Sequence, residues 1–231
     1  GDVYKRQVYN IDISKTCCHI IEKYIKLLIA KDNSLLMILD ELQGIADYNK
    51  KLEKIRTMLS EDAEARIFEI ISYAILKNHY KNIKVYWGYT RNSINEEELQ
   101  LFKTGRTNAN DGGIDFVMRP IGRFFQVTEV NNYDKYLLDI DKVMHFPITF
   151  VIKTNSPKAI VAKELNDYIN TRANGMLVIE QRYKNAIEEI ITINELCEWT
   201  NELSNDDIDG IIRDIDIYYK LEMNLDVEDF D

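Results

Sequence analysis

Proline and histidine are scarce in this chain, three of each in 231 residues, and so is cysteine, also three. With so little proline and only nine glycines, no stretch reads as a Pro/Gly-rich linker, and no internal repeat is visible. The histidines, His19, His79 and His145, are scattered without metal-ligand spacing. Cys17, Cys18 and Cys197 include an adjacent pair and form neither a disulfide framework nor a zinc pattern. Free thiols in a reducing cytoplasm are the reading that follows. No run of 18 apolar residues exists, so no transmembrane helix and no membrane partner are expected. No basic segment precedes an apolar one at the start, so no secretory signal is expected. A phosphate-binding P-loop and a dinucleotide glycine fingerprint are both missing. The chain opens Gly1-Asp2-Val3-Tyr4 without an initiator Met, and its first seven residues are given no weight.

What is present suits a packed globular protein: 45% hydrophobic and 10% aromatic residues. The net charge of −10 is wrong in sign for gripping a phosphate backbone. Its distribution changes that. From Glu195 onward there are 13 acidic and two basic residues, leaving 26 acidic and 27 basic over positions 1–194. The acidity thus belongs to the C-terminal segment, which reads as a solubilising tail, a docking element or a screen against non-specific DNA contact.

Along the chain, residues 13–58 read as two or three helices. Ser14 caps the first, Asn33-Ser34 starts another that Gly44 interrupts, and 46–58 is rich in Lys and Glu. Ser60-Glu61-Asp62 marks a helix start, with the helix running to about His79. A β-type run follows at Ile83–Tyr89, then a loop or short acidic helix over Thr90–Gln100. Ile114–Met118 and Gly122–Val130, joined by Arg119-Pro120-Ile121-Gly122, read as a hairpin. A helix near 133–145 leads to a buried-type strand at Ile148–Ile152. Pro157 opens a helix ending near Gly175, Met176–Glu180 reads as a strand, and helices dominate after Tyr183. The fold class expected is α/β, a mixed central sheet flanked by helices with a helical N-terminal part and a helical acidic C-terminal segment.

The hairpin carries the chemistry. Phosphodiester hydrolysis with Mg²⁺ needs hard oxygen ligands on a rigid scaffold. Asp115 lies in the first strand, and Gln126 and Thr128 share one face of the second. If Asp115 and Gln126 face the same side, a carboxylate and an amide oxygen converge, and the Val127 carbonyl can join them. Gly112 and Gly113 allow a sharp turn and close approach of a phosphate.

Phe68-Glu69 on a helix, then Asp111-Gly112-Gly113-Ile114-Asp115, then Phe125-Gln126-x-Thr128 resembles the PD-(D/E)XK nuclease core over roughly residues 60–155. It is most similar to the variant with Gln for the second acid, as in Mrr-like nucleases. The longer string from Thr104 to Phe116, with Gly122 to Glu129, resembles type II restriction endonucleases of the ApaLI kind. The resemblance implies a restriction-endonuclease-like core at 60–182, between a helical part at 1–59 and the acidic segment at 183–231. It implies Asp115 as metal-binding aspartate and Gln126 as a neutral oxygen ligand. Glu69 becomes the helix acid that binds metal directly or through water. The cofactor implied is Mg²⁺, with Mn²⁺ able to substitute. Thr128 stands where the family has its lysine. Three substitutes are conceivable: Glu129 turned inward by a β-bulge, or a lysine reaching in, Lys153 or Lys135. Lys103, Arg106, Asn108, Asn110, Arg119 and Arg123 flank the site and are the candidates for contact with DNA phosphates or base edges.

The expectation is a prokaryotic, cytoplasmic homodimer that cuts double-stranded DNA at a short palindromic site, GTGCAC if the closer resemblance holds. A DNA methyltransferase is the expected genetic neighbour. The alternatives are an Mrr-like nuclease that cuts modified DNA and an inert DNA-binding or interaction module on the same fold.

Overall fold

A computed structural model of the chain describes residues 13–105, 114–129 and 132–222; within the first helix, the side chains of 28 and 30–35 are excepted. Residues 1–45 and 46–231 form two compact units. The first holds one continuous helix, α1 (Ser14–Gly44), in place of the two that Asn33-Ser34 suggested. Asn and Ser inside a helix cost at most ~0.7 kcal/mol apiece, too little to break it, and Gly44 ends it. Its N-terminal flanking residue is Ile13, not Ser14, and no side chain caps that end.

The second unit is built on a five-stranded mixed sheet in the order β3-β4-β5-β6-β7. β3 (Gln100–Lys103), β4 (Phe116–Arg119) and β5 (Arg123–Thr128) pair antiparallel. β6 (Ile148–Ile152) and β7 (Ile187–Thr192) continue in parallel. The β4–β5 turn closes on Gly122, whose φ of 69° is costly for any residue with a Cβ, and its N–H donates to the Met118 carbonyl. All five residues of β6 are buried, as the apolar run required. One face packs on α4 (Tyr133–Lys142) and α5 (Lys158–Ala173), in a cluster with Tyr136, Ile140, Phe150, Ile152, Leu165 and Ile169. On the other side, α3 (Ala65–Tyr80) carries Tyr73, whose ring meets Phe116 edge-on and whose hydroxyl donates to the Leu101 carbonyl.

Three expectations are corrected. Thr90–Gln100 is neither loop nor helix: β2 (Asn95–Glu98) pairs with β1 (Lys84–Trp87), because Glu96 finds both Lys84 and the Tyr86 hydroxyl across the strands. Gly88 makes this hairpin possible, since a Cβ there would lie 2.1 Å from the Ser93 carbonyl oxygen. Met176–Glu180 is not a strand but part of α6 (Leu177–Asn185), which buries none of its residues. The place beside β6 is taken by β7, inside the region expected to be helical, whose Ile190 and Ile191 are buried there.

The acidic C-terminal segment is structural as far as Glu222. After α7 (Ile193–Thr200), whose start is fixed by a Thr192–Glu195 capping box, comes α8 (Asn205–Glu222). α8 buries Ile208, Ile211, Ile212, Ile215 and Tyr219. Its outer acids meet lysines of α3 and of α2 (Tyr48–Met58): Asp214 lies 2.7 Å from Lys77, Asp209 2.5 Å from Lys51, and Asp207 pairs with Lys81.

His79 at the end of α3 stacks on Trp199 of α7, centroids 3.8 Å apart. Burial holds its imidazole below the ordinary 6.5. The unfolded chain therefore binds that proton first, and stability falls as pH drops through 6.5. His79→Phe keeps the stack and removes the proton site. Its urea midpoint should change less than that of the wild type between about pH 7.5 and about pH 5.5; equal changes would place the acid sensitivity elsewhere.

Candidate functional site

The C-terminal ends of β3, β5 and β6 and the start of β4 lie at one end of the sheet, which carries Asp115, Gln126, Thr128 and Lys103, whereas Arg119 and Arg123 lie at the opposite, turn end of the β4–β5 hairpin. Asp115 directly precedes β4. Ile114 packs in the α4–α5 cluster, whereas Phe116 packs on Tyr73 of α3. Two residues apart in a regular strand they would share a face, so the chain turns at Asp115. Its N–H donates to the Phe125 carbonyl, and its Oδ2 accepts the Val127 N–H at 2.7 Å. The carboxylate thus stands in for a ladder carbonyl at the end of β5.

Gln126 is 7% exposed, and its Nε2 donates to the Val127 carbonyl at 3.2 Å. Asp115 and Gln126 therefore converge on the backbone of one residue, Val127, the first at its N–H and the second at its carbonyl. The Gln126 Oε1 is buried and has no hydrogen-bond partner among the described residues. An unpaired buried acceptor is costly unless something else satisfies it.

Glu69 and Lys103 take up other roles. Lys103, the last residue of β3, lies 2.9 Å from Glu69 Oε1 and 3.7 Å from Glu222 Oε2, in ion-pair contact rather than aligned hydrogen bonds. The side chains of Lys103 and Glu69 are each only 9% exposed. Lys103 is thus an internal counter-ion, not a side chain displayed to a DNA backbone, and the Glu69 carboxylate is held by it. Arg123 is likewise engaged inside: 2.5 Å from Glu189, bonded to Thr149 and Tyr80, and stacked over Phe125. Arg119 is exposed at the end of β4. Arg106, Asn108 and Asn110, with Asp111-Gly112-Gly113, lie outside the described residues.

Thr128 is buried beside the Tyr136 hydroxyl, whose proton burial makes harder to remove. The β5–β6 register runs evenly from Phe124 to Thr128, without the bulge that would turn Glu129 inward. Glu129, half exposed, instead meets Lys153 at 2.5 Å. The Lys153 ammonium also donates to the Ala63 carbonyl, and its side chain is 10% exposed. Lys135 stands exposed on the first turn of α4.

Two residues escaped the sequence reading. Thr104 anchors Asp115 from the β3 side: its N–H donates to the Asp115 carbonyl, and its hydroxyl contacts the carbonyls of Ile114 and Asp115. Glu61, read as a helix-start acid, accepts from the Asn155 N–H at 2.7 Å and the Thr154 hydroxyl at 3.0 Å. Those two bonds, and Lys153 nearby, hold its carboxyl below the usual range. Neither role has a local signature, since both depend on partners far along the chain or on a strand, β3, with little alternation.

Among the described residues, no cluster of three or more His, Cys, Asp or Glu side chains is placed to hold a metal ion. The donor set that fits one is smaller and partly neutral: the Asp115 carboxylate and the unpaired Gln126 Oε1. Glu69 joins it only by leaving Lys103. Comparison with family models, curated proteins and solved structures finds no match to this chain.

Removing Lys103 would leave Glu69 and Glu222 buried without their cation. Lys103→Met should destabilise the second unit by about 3–5 kcal/mol in urea unfolding; a loss under ~1 kcal/mol would mean that water screens the trio.

Proposed function

We propose that the chain is a Mg²⁺-dependent endonuclease of the PD-(D/E)XK type, acting on double-stranded DNA as a type II restriction enzyme. The observation that carries this is the convergence of Asp115 and Gln126 on the backbone of Val127, with a buried amide oxygen left without a partner among the described residues. That oxygen and the Asp115 carboxylate would hold the ion, an all-oxygen set suited to a hard cation. Bound there, Mg²⁺ supplies positive charge against the charge that develops on a phosphodiester in hydrolysis.

The remaining roles fall to the chain's own residues. Thr104 and the Val127 N–H fix Asp115 from two sides. Lys153, just beyond the end of β6 and 10% exposed, takes the place of the lysine missing at Thr128, and Glu129 outside it holds the ammonium. In this reading Lys135 is not required. Arg119, exposed at the end of β4 away from Asp115, is one candidate for phosphate contact, with Arg106, Asn108 and Asn110 as further candidates.

A second reading, an inert DNA-binding or interaction module on the same fold, draws on the Glu69–Lys103 pair and on Thr128. The two separate in one assay. Purified protein with a plasmid of known sequence and Mg²⁺ should give discrete fragments that EDTA abolishes. Asp115→Ala should lower the rate by more than ~100-fold, and Gln126→Ala should raise the Mg²⁺ requirement by ~10–100-fold. Cutting of methylated DNA alone would select the modification-dependent form. No cleavage of either DNA with any divalent metal, and no Asp115-dependent heat of Mg²⁺ or Mn²⁺ binding in calorimetry, would leave the inert module.

A further inference from the structure

We propose that the turn Asn174-Gly175 at the end of α5 is a site of self-modification. There the chain's own backbone displaces the Asn174 side-chain amide, leaving aspartate or isoaspartate and one more negative charge. The proposal makes no use of the nuclease reading and lies wholly within the second unit.

Asparagine is a thermolabile residue, and its lifetime in a fold depends on whether the next backbone nitrogen can reach its side chain. Asn174 is the one asparagine of the chain that glycine follows. Both residues are exposed. Asn174 ends α5 in the left-handed region, at φ 47° and ψ 45°, and Gly175 follows at φ 81°. The N–H groups on either side are held. That of Asn174 donates to the Thr171 carbonyl at 3.3 Å, and that of Met176 to the Ala173 carbonyl at 2.9 Å. Between them the Gly175 N–H has no acceptor among the described residues, and the Asn174 side chain makes no hydrogen bond to them either. A Cβ at position 175 would meet nothing within 4 Å, so the turn has room to move. Nucleophile and electrophile are adjacent, wet and unengaged.

Other candidates in the chain are tied down. Asp209-Gly210 lies inside α8, and Lys51 holds the Asp209 carboxylate. Asn166 and Asn170 lie inside α5, where the helical ladder engages the N–H that follows each of them.

The step balances with water alone. Hydroxide takes the Gly175 N–H proton, and a turn about ψ of Asn174 brings that nitrogen to Cγ, which the freedom of Gly175 permits. The new N–Cγ bond forms as the Cγ–Nδ2 bond breaks, and ammonia leaves with a proton from water. Water then opens the cyclic imide at Cγ, giving aspartate, or at the backbone carbonyl, giving isoaspartate. The new carboxylate stands at the C-terminal end of α5, where the helix dipole disfavours an anion.

Incubation of the full chain in weakly alkaline buffer, followed by trypsin and mass spectrometry, tests this. Cleavage after Arg172 and Arg182 releases Ala173–Arg182, which should gain about one dalton and separate into two products on a column. The neighbouring peptide Glu164–Arg172 carries Asn166 and Asn170 and should change at least ~10-fold more slowly. Asn174→Gly, which keeps the left-handed turn, should abolish the gain. Asn174→Asp, the direct product, should lower the urea midpoint. A peptide Ala173–Arg182 that gains no mass, gains it no faster than Glu164–Arg172, or gains it only once urea has unfolded the chain would overturn the proposal. A midpoint of Asn174→Asp equal to that of the wild type would overturn the effect assigned to the new charge.

Discussion

The second unit depends on β6 being buried on both faces. Five consecutive residues without access to water, Ile148 to Ile152, demand apolar cover above and below and a strand on either side to bond the backbone. The α4–α5 pair supplies one cover, and α3 lies on the other side of the sheet, with Tyr73 against Phe116 and Tyr80 against Phe125. Once β6 is fixed, β5 beside it is fixed in register from Phe124 to Thr128. The position of Gln126 opposite Phe150 is then no longer adjustable. The candidate site is the point where this rigid parallel pair gives way to the antiparallel hairpin carrying Asp115.

Charge is organised around the same architecture. The excess of acid near the C-terminus looks like a detachable tail when only the sequence is counted, yet up to Glu222 it is a packed helix. An apolar stripe one residue in three or four seats α8 on α3, and the aspartates beside that stripe meet the lysines of α2 and α3. Such exposed pairs each contribute little; the buried isoleucines provide the larger stabilisation, and the acids mainly balance lysines brought close by the packing. Glu222 at the helix end reaches Lys103, so α8 touches the same buried counter-ion that holds Glu69.

Elements with strong periodicity or a continuous apolar run were readable in advance: α3, α5, β6, and the β4–β5 hairpin with its glycine turn. The failures have physical causes. β2 is hydrated on both faces, so its residues do not alternate, and only cross-strand partners such as Lys84 and Tyr86 identify it. Met176–Ile179 has strand composition, but a strand needs a neighbour, and the position at β6 goes to Ile187–Thr192. For the candidate site, the sequence singled out Asp115, Gln126 and Glu69 as oxygen-bearing residues, and of these the structure sets Asp115 and Gln126 against the Val127 backbone and Glu69 against Lys103. Their partners were not readable in advance. Nothing near Glu69 in sequence announces Lys103, and nothing near Glu129 announces Lys153, since each pair is set by strand order.

That difference bears on the proposed role of Glu69. A carboxylate held by a buried ammonium is not available as a ligand until the ammonium is satisfied by something else. Glu69 and Glu222 share Lys103 at 2.9 Å and 3.7 Å, so Glu222 is already placed to take over the cation if Glu69 turns toward Asp115. A buried lysine with one acid would strongly resist losing it, because the remaining charge would be uncompensated. With two acids, the exchange costs a difference between two ion pairs rather than the whole of one. Glu222, at the end of α8, therefore bears on whether Glu69 can join the oxygen set proposed for Asp115 and Gln126.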